Sequence, residues 1–309
     1  MKRMKISEKI SDWFLRLFSI KNVHKIEVII VAASLAGFLI HLLLIFLNNS
    51  GILTHPVFNE FSGNYMNAIY TPFSFLLIYE VFLFLYYLPK SFTKSIGKHY
   101  EIISLIVLRR IFKDISHFDL DQLTENISQK SELLIDMAGV LVLFFLIAIF
   151  YHLKKKQPHA EACTNIKSFV VIKRLMSLIL LPVLIGLAIF SFGQWFLAVL
   201  QFSDGQHHAI PEINNVFYDT FFSILIYVDV FILIISFLYT RYYSQLMRNS
   251  GFIISTVLIR LSFTASPLTN IFLILASVLF GVLILLLYNF FIKVDERTDD
   301  LFAEDNLSE

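Results

Sequence analysis

The stretch that decides the fold is TPFSFLLIYEVF, residues 71–82, together with its match 149 positions later, TFFSILIYVDVF, residues 220–231. Six of the twelve positions are identical, and one carboxylate, Glu80 or Asp229, interrupts each apolar run at the same place. A second match follows at an offset of 151, where IISLIVLRRIF (102–112) lies on IISTVLIRLSF (253–263) and Arg109 falls opposite Arg260. Phe and Leu coincide often in so biased a composition, so the weight rests on the two coincidences of charge inside apolar sequence. Similarity at a fixed spacing is the signature of internal duplication.

Outward from these stretches, 57% of the 309 residues are hydrophobic and 16% charged, against about 45–50% and about 25% in soluble domains. That composition excludes disorder, collagen and an ordinary soluble enzyme. A membrane helix takes roughly 20 mostly apolar residues, and eight such segments are visible, at about 26–47, 71–88, 102–118, 133–152, 171–200, 217–239, 252–266 and 269–292. The third and seventh are short and carry arginine. Loop charge orders them, because cytoplasmic loops concentrate Lys and Arg near the span ends. Segments 1–25, 90–98, 154–174 and 241–248 are basic, whereas 48–70 and 201–216 hold neither Lys nor Arg, and 119–132 has only Lys130 against four acids. Eight crossings with both termini cytoplasmic put every basic loop on one side.

The expected fold is therefore an all-α membrane protein of eight transmembrane helices, arranged as two parallel four-helix repeats. Each unit has an even number of spans, so the copies point the same way and are related by an axis near the membrane normal. The units run 25–153 and 171–293, joined by a cytoplasmic linker, 154–170. An amphipathic helix, 1–24, precedes them, with Ile6, Ile10, Trp13, Phe14, Leu17 and Phe18 on one face and Lys5, Lys9, Asp12 and Arg16 opposite, the pattern of a helix lying in a membrane interface. The tail, 294–309, is acidic and expected to be disordered.

A charge near the bilayer centre costs at least ~2.5–3.5 kcal/mol, so it is kept only when paired, cavity-facing or functional. Glu80 lies ten residues before Lys90 and Arg109 eleven after Lys98, both about 15 Å from the inner surface at 1.5 Å per residue. Asp229 and Arg260 sit at matching depths beside Arg241 and Arg248. Each acid can therefore meet its base across two antiparallel helices joined by a basic turn. Such a pair either fixes the packing of the two spans or lets a carboxylate face a hydrated crevice and handle a proton or cation. Arg109, Lys113 and His117 form a stripe at helical spacing, joined by Arg110 and Asp114, which makes the first repeat the richer candidate pathway.

The run from Glu80 through Lys90-Ser-Phe-Thr-Lys-Ser-Ile-Gly-Lys-His-Tyr-Glu101 resembles the second-to-third helix region of voltage-sensor domains. That resemblance covers about thirty residues and implies a charge-transfer role for Glu80 and Glu101. The fourth spans, 133–152 and 269–292, carry no row of arginines, and the base sits on the third span instead.

Other signals are plainer. Cys163 is the sole cysteine, which leaves no internal disulfide. The outer loop with Asp204, His207, His208 and Glu212 has metal-ligand residue types without a zinc spacing, so no metal and no cofactor are expected. His41 and Gln194 read as interhelical hydrogen-bond partners, and Asp136 as interfacial. No hydrolase, metalloprotease or phosphate-loop motif occurs, so no enzyme is expected. With 10 glycines, packing should rely on Leu, Phe and Ile.

The function expected is ion handling, the conduction or sensing of protons or cations through the buried pairs. The competing readings are a non-conducting scaffold or accessory subunit with structural pairs, and a small-solute transporter. The partners are the lipid bilayer and an ion, with a homo-oligomer and a cytoplasmic partner at the amino-terminal helix or acidic tail left open. The balance of 25 basic and 24 acidic residues argues against nucleic acid. Size and the lack of a targeting signal point to the cell (plasma or inner) membrane.

Overall fold

A computed structural model of the chain describes residues 2–51, 67–116, 127–157, 166–203, 213–240 and 242–305. Every regular element among them is helical: α1 (Lys2–Leu17), α2 (Ile20–Asn49), α3 (Asn67–Tyr87), α4 (Phe92–Ser116), α5 (Ile127–Lys155), α6 (Ile166–Ser203), α7 (Ile213–Tyr239), α8 (Tyr243–Ser262) and α9 (Pro267–Asp305). Local chemistry sets several ends. Ser19 caps α2, its hydroxyl accepting from the Asn22 amide at 3.2 Å. The same helix ends at Gly51, whose φ of 73° suits a residue without a side chain. Pro89 stops α3, and Pro267 opens α9 in the first-turn position where its missing N–H is no loss.

Five helical stretches are long and apolar enough to cross a membrane: Glu8–Asn49, Ser131–Lys155, Ser168–Phe190, Thr220–Tyr239 and Leu268–Val294. Thr71–Tyr87 is apolar but shorter. Large apolar side chains such as Leu39, Phe46, Leu141, Phe145, Leu238 and Phe290 point outward, which suits lipid and would be a liability in water. The chain is thus a membrane-embedded helical protein. The charged helices α4 and α8 fall outside those five stretches, yet they bury much of their surface, including Tyr100, Ile103 and Val107 on α4 and Phe252 and Ile259 on α8.

Consecutive helices pack in order, α2 on α3, α3 on α4, α4 on α5, and again α6 on α7, α7 on α8, α8 on α9. Contacts also run between the halves, α5 on α9 and α4 on α8, so that α4, α5, α9 and α8 close a ring. The core is therefore a central four-helix bundle drawn from both halves, with α2, α3, α6 and α7 outside it and α3 touching α6. A pseudo-twofold pair of four-helix bundles was expected; contacts also join the halves, where the apolar faces of α5 and α9 meet and bury Leu143, Ile147, Ile271, Ile274 and Val278.

Glycine serves this ring more than its scarcity suggested. A Cβ on Gly139 would lie 2.4 Å from the Ile271 side chain, and one on Gly281 only 1.7 Å from the Tyr100 hydroxyl. Both mark crossings where the missing side chain admits the neighbouring helix. The amino-terminal helix also differs from a helix lying freely on a surface. Phe14 and Phe18 stack at 4.6 Å and are buried, Phe18 continues onto Phe82 at 5.5 Å, and Arg174 donates to the Ser11 hydroxyl at 2.8 Å. Trp13 and Leu17 remain exposed. Half of the apolar face thus docks on α3 and α6.

Candidate functional site

Both acid–base couples meet. Arg109 on α4 brings Nη1 to 3.3 Å from Glu80 Oε2 on α3 and donates to the Phe73 carbonyl at 3.4 Å. Arg260 on α8 brings Nη1 to 2.6 Å from Asp229 Oδ2 on α7, and the Thr256 hydroxyl donates to the same oxygen at 3.0 Å. All four charged side chains are buried. The acid lies on the second helix of its half and the base on the third, so an antiparallel turn sets each pair at one height.

The remaining residues of the expected pathway have separate surroundings. Arg110 reaches away from Arg109, its Nε and Nη2 gripping both oxygens of Asp136 at 2.8 Å and its Nη1 donating to Asn270 Oδ1 at 2.7 Å. Asn270 in turn donates to the Ser262 carbonyl at 2.6 Å. This chain joins α4, α5, α8 and α9 across the halves. Asp136, expected at the membrane interface, is 3% exposed and packed within the bundle. Removing the bridge with Asn270→Ala should lower unfolding stability by about 1–2 kcal/mol, measurable by denaturation in detergent; unchanged stability would show that the bridge contributes nothing.

Glu101 pairs with Lys98 at 2.6 Å and accepts from the Tyr151 hydroxyl, so it and Glu80 have different partners. Asp114 is exposed. Lys113 lies on α4 without a described side chain, and His117 lies outside the described residues, as does the loop with Asp204, His207, His208 and Glu212. His41 meets Thr71 across α2 and α3 at 2.5 Å, whereas Gln194 is exposed.

Two residues missing from the expected site line a cavity together with Asp229. A cavity of about 30 Å³ lies where α4, α6, α7 and α8 approach, with His99, Lys173, Asp229, Thr256 and Ser95 among its lining residues and Leu88, Phe92 and Phe252 as apolar walls. It has room for about two waters. His99 is 5% exposed, packs its ring against Phe84, and neither ring nitrogen has a hydrogen-bond partner among the described residues. Lys173 is 3% exposed, donates to the Lys90 carbonyl at 2.6 Å, and lies 4.6 Å over the Phe92 ring and 5.6 Å over Phe169. The carbonyl belongs to the turn after α3, where helix ends are partially negative.

Lys173 had been counted among the basic loop residues that orient the chain. Its apolar neighbours Phe169, Val170 and Val171 were the available sign that it starts a buried helix. His99 carried no such sign, since its burial depends on α3 and on helices of the second half. Burial, followed by the charges of Lys94 and Arg174, lowers the Lys90 ammonium below its ordinary pKa in the turn between α3 and α4.

Among the described residues no group of three or more His, Cys, Asp or Glu could hold a metal ion. No protein-family model, curated protein or solved structure matches the chain. What class of protein this is must therefore be argued from the membrane-embedded fold and its buried charges.

Proposed function

We propose that the chain is an eight-span membrane protein, two parallel four-helix units (25–153 and 171–293) with both termini cytoplasmic, that moves protons at the cavity between its halves. The eight-span reading is supported by α4 and α8, whose Arg109, Arg110 and Arg260 are each paired with a carboxylate of a neighbouring helix. The duplicated reading is supported by the recurrence of one acid and one base on corresponding helices.

One observation carries the function: a buried imidazole with both nitrogens unpartnered shares a small cavity with the carboxylate Asp229. Imidazole can take a proton on one nitrogen and release it from the other, and the cavity has room for water to link it to the acid. Lys173 and Arg260 disfavour a metal cation there by repulsion, which leaves the proton as the positively charged cargo. The working centre is thus the second pair, Asp229 and Arg260, with His99 supplied by the first half, while Glu80 and Arg109 hold α3 against α4.

In proteoliposomes with a clamped potassium potential and an internal pH dye, the wild type should pass protons. His99→Phe should reduce the rate at least about 100-fold, the scale of a lost acid–base group, at unchanged yield and melting temperature; Asp229→Asn should reduce it as far and also lower the melting temperature, because it leaves Arg260 buried without its carboxylate. A second reading, a non-conducting scaffold, is favoured by the Arg110–Asp136–Asn270 bridge, which serves packing alone. Wild-type vesicles no leakier than empty ones would establish that reading and end the first.

A further inference from the structure

The charges around the cavity do not cancel. Asp229 is the carboxylate of its wall, and Arg260 and Thr256 already occupy one of its oxygens. Lys173 is a second buried cation and forms no ion pair with a carboxylate among the described residues; its ammonium uses one donor on the Lys90 carbonyl. An ammonium has three donors, so two remain. The Ser95 hydroxyl and a ring N–H of His99 line the same space. At Lys173 the charge of Asp229 acts first and that of Arg248 opposes it. A buried cation in excess is costly in a bilayer protein, and the walls offer donors in surplus of acceptors.

We propose that this cavity binds one small monovalent inorganic anion, with chloride as the physiological occupant. The Lys173 ammonium supplies the charge, and Ser95 and His99 the neutral donors. A spherical halide fits a space that holds about two waters, whereas a sugar acid such as gluconate does not. This anion site goes beyond proton movement and does not require it, since binding neutralises Lys173 whether or not a proton passes.

The test is equilibrium binding of radioactive chloride to the full-length protein in detergent, with potassium gluconate holding ionic strength constant. Saturable binding at about one ion per chain is expected, displaced by bromide and not by gluconate. Lys173→Met should weaken the affinity at least about tenfold, as loss of a charge-assisted donor predicts. Ser95→Ala, which leaves the buried charges untouched, should weaken it by less and serves if the lysine variant does not fold. Absence of saturable chloride binding, or binding by folded Lys173→Met or Ser95→Ala that equals wild type, would overturn the proposal. Proton flux is not read in this assay, so chloride binding without flux would leave the anion site standing, and flux without chloride binding would remove it alone.

Discussion

Arg260→Met should destabilise the protein by about 3–5 kcal/mol, because it leaves the Asp229 carboxylate buried without its cation. The Thr256 hydroxyl is too weak a partner to replace a guanidinium at 2.6 Å. Removing both charges with Asp229→Leu and Arg260→Met should recover most of that loss, since an apolar pair of similar volume is often as stable as a buried ion pair. Denaturant unfolding in detergent of the two single variants and the double variant gives the coupling energy. A single variant within about 1 kcal/mol of wild type would mean that the pair is solvated, as surface pairs are, and the buried couple would lose its standing as a constraint on the fold. The double variant also separates roles, because it restores packing without restoring an acid to the cavity.

Gly281→Ala should be nearly as damaging for a different reason. The added Cβ would sit 1.7 Å from the Tyr100 hydroxyl and 2.9 Å from its ring carbon. Tyr100 is fully buried and its hydroxyl is bonded to Ser255 at 2.7 Å, while Ser255 bonds the Ser277 carbonyl at 2.8 Å. The ring cannot retreat without breaking the contact that ties α4 to α8 and α9. Overpacking and a lost buried hydrogen bond together should cost about 2–4 kcal/mol. Tyr100→Phe alone should cost about 1 kcal/mol, and combined with Gly281→Ala it should cost less than the sum, because removal of the hydroxyl makes space for the methyl. Additive losses would show that the two groups do not compete for one volume.

These two sites differ in how far they could be read beforehand. A carboxylate or guanidinium inside an apolar run stands out in a sequence, and its depth follows from the helical rise and the distance to a basic turn. Glu80 with Arg109, and Asp229 with Arg260, were legible for that reason: short-range geometry across one turn decides whether they meet. Tyr100 and Gly281 carried no comparable sign. An aromatic residue in a chain with 33 Phe and 13 Tyr is unremarkable, and its need for a glycine 181 positions away exists only where two helices cross. The partner of Asp136 was hidden on the same account, since nothing in the sequence pairs it with Arg110, 26 positions earlier on another helix.

The linear chain alone determined that the protein is helical and membrane-embedded, because apolar runs of that length have no stable state in water and a backbone in lipid must satisfy its own hydrogen bonds. It also determined which charges had to find partners, since an unpaired charge at depth is costly wherever the neighbouring helices lie. Tertiary structure alone decided that the halves share one central bundle, that Lys173 is buried and that His99 and Asp229 line one cavity. Those outcomes depend on how side chains from α4, α6, α7 and α8 fill a common space, and packing between distant segments leaves no periodic trace in any one of them.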